Sequence, residues 1–394
     1  MKNIFDEVVD RKGTYCTQWD FVKDRFGVSD LLPFTISDTD FKAPEGTIKM
    51  LEEAVKRGLF GYTRWNHSDF KNSVARWFKK RFNTEIHTDW IVYSPSVVFS
   101  IAKCIEILTN PDDNILTFSP AYDAFFQTVK SNNRNLIRCS LLEDENGRYK
   151  IDFIDLEKKL SDHKTKVFLL CSPHNPTGRV WTEDELTEIV KLCQKYDKYI
   201  ISDEIHMDIL RNGFHHIPIT NFINEKWKKV ILLTSSSKTF NTPSLIFSYG
   251  LIVEKDIRDE FLKTLKNRNG LSSCSYLGML ATMECYNNEE KWCDELCKYM
   301  DNQFSYLEKE INMINGFKMN IPEATYLAWI NVKNLNLPME ELQDQLINIG
   351  KIAIMRGDTY GTEGSGYLRM NIGAPRPKIV EGVDRIRKAL KSLD

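Results

Sequence analysis

The sequence lacks several features that would have decided its class at once. Its nine cysteines are scattered and include no Cys-x-x-Cys pair, so neither a disulfide framework nor a zinc ribbon is indicated. Charge of one sign is not in excess either. The 53 Lys and Arg against 55 Asp and Glu give a net charge of −2, which leaves no electrostatic footprint for nucleic acid or an anionic membrane. No apolar run approaches the ~20 residues that cross a bilayer. The opening MKNIFDEVVDRKG has no apolar h-region, and with the cysteine usage this predicts a reduced, cytoplasmic protein. There is no internal repeat and no low-complexity linker.

What is present is ordinary in bulk: 394 residues, 42% hydrophobic, enough for two or three domains with a large core. The middle of the chain alternates short apolar runs with amphipathic segments. DWIVYSPS (89–96), NILTFSPAY (114–122), KVFLLCSPHNPTG (166–178), KYIISDEIH (198–206) and KKVILLTSSSK (228–238) each carry a strand-like apolar run. WTEDELTEIVKLCQKY reads as a helix, with capping-box spacing at Thr182 and Glu185 and apolar residues at 186, 189, 190 and 193. The pattern predicts an α/β fold: a mostly parallel central sheet with helices on both faces, plus a smaller α+β domain. We expect the large domain over 46–280 and the small one from 1–45 and 281–394. In the latter, a charged helix over about 287–312 precedes the strand-like TYLAWINV, KIAIM and GYLRMNI and a final helix from about 376.

Each of the five runs ends in a polar cluster: Ser94-Pro95-Ser96, Ser119-Pro120-Ala121-Tyr122, Ser172 to Gly178, Ser202-Asp203-Glu204, and Ser235 to Lys238. Open α/β sheets bind ligands outside the carboxyl ends of their strands, so five strands aim polar groups at one crevice. Ser96 is a candidate helix N-cap, with Val97 and Val98 opening the helix and offering free amides to an anion. Asp203 follows an apolar run, where a carboxylate needs a cationic partner. Asn175 can donate an amide or simply shape a turn, and Tyr122 can present a flat face or merely pack.

Two rival constellations are weaker. Asp203, Glu204, His206, Asp208, His215 and His216 fall within fourteen residues but show no recognised ligand spacing, so no metal is expected. G-x-S-x-G is absent, and no cysteine sits in a setting that would lower its pKa. A phosphate site, buried carboxylate, aromatic plate, amide donor and lysine together are what pyridoxal phosphate requires. The lysine forms the Schiff base, and the carboxylate keeps the ring nitrogen protonated.

The stretches FGYTRW (60–65), CSPHNPTGRVWTEDEL (171–186), ISDEIHMDI (201–209), LTSSSKTFN (233–241) and YLRMNIGAPRPKIVEGV (367–383) keep their order along nearly the whole chain. They resemble the fold-type I pyridoxal-phosphate enzymes of the aminotransferase class I/II superfamily, and within it the cystathionine β-lyases of the MalY/PatB type. The resemblance implies a homodimer with shared active sites and assigns roles. Lys238 is the Schiff-base lysine and catalytic base, Asp203 the ring-nitrogen partner, and Asn175 and His206 contacts to the ring's 3′-oxygen. Tyr122 is the stacking ring; Ser96, Val97, Val98 and Ser235 form the phosphate cup. Tyr62 reaches the phosphate of the other subunit, and Arg369 grips the substrate α-carboxylate, with Tyr62 and Tyr122 also facing substrate. TISDTDF (35–41) is similar to the family's substrate-side loop. Ser236 stands where the family has a glycine and is expected to crowd the phosphate loop slightly. The expected activity is carbon–sulfur β-elimination from cystathionine or a related cysteine thioether. An aminotransferase using the same residues is the alternative, and partnership with a transcription activator is an added role that stays open.

Overall fold

The structure, a computed structural model, describes residues 3–391. β1 (Leu32–Phe34) is followed by β2 (Ile91–Ser94), β3 (Asn114–Ser119), β4 (Asn135–Ser140), β5 (Thr165–Cys171), β6 (Tyr199–Asp203), β7 (Val230–Thr234) and β8 (Ser248–Ile252). Strands β2 to β8 form one seven-stranded sheet in the order β2-β8-β7-β6-β5-β3-β4. Neighbours run parallel throughout β7-β6-β5-β3-β4, while β8 runs antiparallel to both β7 and β2. Every residue of β7 and β8 is buried, as is nearly all of β5. A sheet covered on both faces requires this, and it explains why these strands read as continuous apolar runs rather than alternating ones.

The helices that flank this sheet are cut where the local chemistry says they should be. Ser96 caps the helix Val97–Leu108, its Oγ accepting from Phe99 N at 3.2 Å. Thr182 and Glu185 complete a capping box on Glu183–Lys195, whose buried residues include Leu186, Ile189, Val190 and Cys193. Two strands, β4 and β8, are not among the five runs read from the sequence. β4 is an edge strand with only Cys139 fully buried, and the SYGLI of β8 carries a glycine at its centre, which weakens the strand signal.

The rest of the chain builds a second sheet from β1 and β9 (Lys318–Met319), β10 (Leu327–Asn331), β11 (Ile352–Arg356) and β12 (Tyr367–Asn371), in the order β1-β11-β12-β10-β9. β1 enters parallel to β11, pairing Leu32 with Ile352 and Phe34 with Ile354, and the other pairs are antiparallel. The N-terminal segment is therefore stitched to strands more than three hundred residues away. The final helix, Arg376–Leu390, lies close over Phe34: a Cβ at Gly382 would meet that ring at 2.6 Å, so only glycine permits the approach. The charged helix expected over 287–312 runs from Glu290 to Asn312, with a separate helix, Tyr276–Asn288, before it. No helix among the described residues is long and apolar enough to cross a membrane.

Candidate active site

The C-terminal ends of β3, β5, β6 and β7, with the loop after β2, surround a cavity of about 200 Å³. Parallel strands in register stop at a common level, so residues far apart in sequence face one space. Nine of the residues singled out above line it: Ser96, Val97, Val98, Tyr122, Asn175, Asp203, His206, Ser235 and Lys238.

Lys238 lies in the turn after β7, partly buried in the cavity wall. Burial lowers its pKa to about 8, an effect that Asp38 and Asp203 oppose and Arg369 reinforces. Its Nζ donates to the backbone carbonyl of Ser37, which also accepts the Tyr326 hydroxyl at 3.0 Å. Asp203 closes β6 next to Cys171 of β5 and Leu233 of β7. Burial pushes its carboxyl up to about 7, and its one side-chain hydrogen bond is from Ile205 N at 3.2 Å. Among the described residues no cationic side chain lies within ion-pair distance of it. A carboxylate placed so is costly unless something else supplies the positive partner.

The segment that follows behaves differently. Glu204, also fully buried, accepts from Ser202 Oγ at 2.8 Å, His216 Nε2 at 2.7 Å and Ile219 N at 3.0 Å. Asp208 accepts from Trp77 Nε1 at 3.0 Å and Thr239 Oγ1 at 2.9 Å. Of three carboxylates within six residues, two are saturated by fixed donors and one is open to the cavity. His206 is held neutral by burial, its pKa lowered to about 3, and its Nδ1 has no partner. Of the six acidic and histidine residues weighed for a metal, only Glu204 and His216 bond to each other; Asp203 and Asp208 have separate donors and His215 is exposed. Among the described residues no group of three or more His, Cys, Asp or Glu is arranged to hold a metal ion.

At the opposite end of the cavity, the amides of Val97 and Val98 open a twelve-residue helix and have no acceptor among the described residues. Ser235 Oγ donates to Phe247 O at 2.7 Å and accepts from Ser237 N at 3.1 Å, which leaves the hydroxyl of Ser237, another lining residue, as a further donor. Ser236 does not crowd this loop. Its side chain turns away and shares a 2.9 Å hydrogen bond with Thr282, so the expectation from the sequence is corrected here.

Arg369, on β12, stands at the wall rather than in the lining. Its Nη2 donates to Thr35 O at 2.7 Å, its guanidinium lies 4.5 Å from the centre of the Tyr360 ring, and its buried Nε is without a partner. Tyr62 is fully exposed and lies outside this cavity, in a neighbouring hollow that shares Ile246 with it. Pro243, Ile246, Phe247 and Ser248 also line the cavity and lie outside every stretch singled out above, while Ser37 and Ser237 fall inside such stretches without having been given a role. The Ser37 contribution is a backbone carbonyl, which no side-chain pattern announces.

These residues fit pyridoxal phosphate, the group implied by the resemblance. A helix start with free amides suits the phosphate, an unpaired buried carboxylate suits the ring nitrogen, and a cavity-lining lysine of lowered pKa suits the aldehyde. The comparisons with known proteins agree with the geometry. The model of the family "Aminotransferase class I and II" matches residues 29–386. Protein MalY of Escherichia coli is 41% identical over 390 residues, covering 99% of this chain and 99% of its own length. The cystathionine beta-lyase PatB of Bacillus subtilis is 34% identical over 387 residues, covering 98% and 99%. The crystal structure of cystalysin from Treponema denticola, which contains a pyridoxal 5′-phosphate cofactor, superposes with a TM-score of 0.94 at 32% identity over the whole of both chains. With an open carboxylate, a helix start and a cavity-lining lysine meeting in a chain that these relatives match end to end, the protein belongs to the aminotransferase class I and II family.

Proposed function

We propose that this chain is a pyridoxal-phosphate-dependent carbon–sulfur lyase that eliminates a thiol from L-cystathionine or a related cysteine thioether, leaving pyruvate and ammonia. The observation that carries it is that one cavity is lined by both Lys238, its pKa lowered to about 8 by burial, and Asp203, a buried carboxylate with no cation within ion-pair distance among the described residues. The full-length likeness to a cystathionine beta-lyase selects the lyase among reactions that such a site can run.

When bound, the cofactor supplies an electron sink that stabilises negative charge at the substrate Cα. The chain's residues do the rest. The guanidinium of Arg369, with Nε free, receives the α-carboxylate in a planar, two-bond grip. Asp203 would hold a proton at the ring nitrogen, and the amides of Val97 and Val98, with Ser96, Ser235 and Ser237 beside them, would hold the phosphate. Tyr122 would stack on the ring, and Asn175 and His206 would hold its 3′-oxygen. The Lys238 amine takes the Cα proton, and a pKa of about 8 is suited to a base working near neutral pH. The electron pair left at Cα then forms the Cα–Cβ double bond as the Cβ–S bond breaks, and sulfur departs as a thiolate that takes up a proton. Water then converts the three-carbon enamine to pyruvate and ammonia.

The same reading places the cofactor in a unit over 46–280, with 1–45 and 281–394 as the second, which the pairing of β1 with β11 supports. It makes the protein a cytoplasmic homodimer acting in methionine biosynthesis, with Tyr62 serving the partner's phosphate. Full exposure of Tyr62 beside the exposed Leu59 and Phe60 supports this, since a soluble chain rarely leaves such a cluster uncovered. The test is to supply cystathionine alone and follow pyruvate and thiol over many turnovers. A lyase continues; a product burst of about one equivalent per site that resumes only on adding a 2-oxo acid identifies an aminotransferase.

A further inference from the structure

We infer that Asp208 and Thr239 form a positioning clamp that sets the Lys238 amine relative to Asp203. The bond between Thr239 Oγ1 and Asp208 Oδ2, 2.9 Å long, joins the residue next to the lysine to the short segment that carries Asp203 and His206. It ties two turns that leave different strands, β7 and β6, and no other side-chain hydrogen bond to Lys238 or Thr239 does so among the described residues.

The acceptor end is built to stay still. The Asp208 side chain is 1% exposed, and its other oxygen is held by Trp77 Nε1 at 3.0 Å, with Arg81 Nε at 4.0 Å. Trp77 is itself fixed, stacked on Tyr286 with ring centres 4.8 Å apart and an angle of 11° between the planes. The backbone carbonyl of Asp208 accepts Cys297 Sγ at 3.2 Å, which anchors the same residue to the helix Glu290–Asn312. Each carboxylate oxygen of Asp208 has its own fixed donor, and the carbonyl also meets Cys293 Sγ at 4.0 Å, so the buried network is filled in a way that specifies a single geometry.

Stability alone accounts poorly for this arrangement. Replacing a buried charged network by apolar residues of similar volume is often neutral or stabilising, so a buried carboxylate fixed by two neutral donors and one distant guanidinium is an expensive way to hold a fold together. What the network does that apolar packing does not is fix a direction. Thr239 can donate to only one place, and that fixes where the preceding lysine side chain begins. Proton transfer from Cα depends on placing Nζ within a few tenths of an ångström, and a misplacement of about 1 Å costs on the order of a hundredfold.

This inference rests on Lys238 being the reactive amine, and the experiment separates the two. Thr239→Val, Thr239→Ala and Thr239→Ser holoenzymes are assayed with cystathionine, and hydrogen exchange of the segment 235–242 is followed in the cofactor-free and cofactor-loaded proteins. Loss of the hydroxyl in Thr239→Val or Thr239→Ala should lower kcat by roughly ten- to a hundredfold with KM within about threefold. It should also speed exchange in 235–242 and leave exchange in β3 and β5 unchanged. Thr239→Ser, which keeps the hydroxyl, should stay close to the parent in both readouts. Adding Asp208→Asn to Thr239→Val should cost less than the product of the two single losses, because both break one bond. The clamp is overturned if Thr239→Val and Thr239→Ala keep the parent kcat and exchange pattern, or if the two losses multiply as independent ones. A parent protein with no lyase turnover would instead remove the functional reading, while the exchange comparison in the cofactor-free protein would still decide the clamp.

Discussion

The guanidinium of Arg369 donates to the side-chain oxygen of Asn175 at 3.3 Å, so the arginine of the five-stranded sheet meets the amide of the loop after β5 directly. This bond is long and the Nε beside it is free, while Nη2 is held separately by the Thr35 carbonyl at 2.7 Å. An incoming carboxylate therefore finds one nitrogen unused and a second engaged only by a long neutral contact. Arg369→Lys, which keeps the charge and loses the planar fork, should raise KM by about ten- to a hundredfold with a smaller effect on kcat. Steady-state kinetics over a wide range of cystathionine concentration checks this, and an unchanged KM would remove Arg369 from substrate binding.

Lys238→Ala should fold and still retain the cofactor non-covalently, because the helix start at Val97 and the Ser235 turn are untouched. Turnover should fall by several orders of magnitude, since base and tether go together. Pyruvate release measured with lactate dehydrogenase reads this directly. Near-parental turnover in the variant would exclude the lysine as base.

Tyr62 provides a test of the subunit boundary. Mixed dimers assembled from inactive Lys238→Ala chains and inactive Tyr62→Ala chains should recover part of the activity, because one site of the mixed dimer carries both intact residues. Demonstrated subunit exchange without any recovery would mean that Tyr62 serves its own chain.

Asp203 links activity to the stability of the cofactor-free protein. Its pKa is raised from 3.8 to about 7 in the fold, so over that interval the folded chain holds a proton that the unfolded chain has released. Its contribution to stability is greatest below the unfolded pKa and is lost as pH rises through about 7. His206, lowered from 6.5 to about 3, acts with the opposite sign, losing stability as pH falls below its unfolded value, and is common to parent and variant. Cofactor-free Asp203→Asn should therefore lose less stability than the parent between about pH 5 and pH 8, while turnover of the loaded enzyme collapses. Urea unfolding of both proteins at those two values decides it; parallel pH slopes would show that the raised pKa has no thermodynamic weight.

Much of this arrangement is legible in the residues. Apolar runs without alternation announce strands covered on both faces, and the Thr182 capping box and the Ser96 cap mark helix starts that the fold uses. What was not legible depends on contacts between distant segments. The antiparallel β8 is hidden by Gly250 at its centre. Ser236 turns outward toward Thr282, whereas the next residue, Ser237, turns inward, a choice set by a helix more than forty residues further on. The carbonyls of Thr35 and Ser37 serve Arg369 and Lys238 through main-chain atoms, which carry no signature of residue type.

The stitching of β1 to β11, and of Lys238 to both the 35–37 segment and the cavity, has a consequence for how the protein is made. These contacts hold the N-terminal segment in place, and pairings between distant segments form slowly because loops must close before any contact rewards them. During synthesis the anion-binding turn, the open carboxylate and the lysine emerge well before the strand that carries Arg369. A nascent chain can thus acquire the elements that hold the cofactor while it still has no grip on an amino acid. A cofactor captured at that stage stabilises the partly assembled sheet by mass action, about 2.7 kcal/mol at a hundred times its dissociation constant. Cofactor supply would then govern the yield of folded protein as well as its activity.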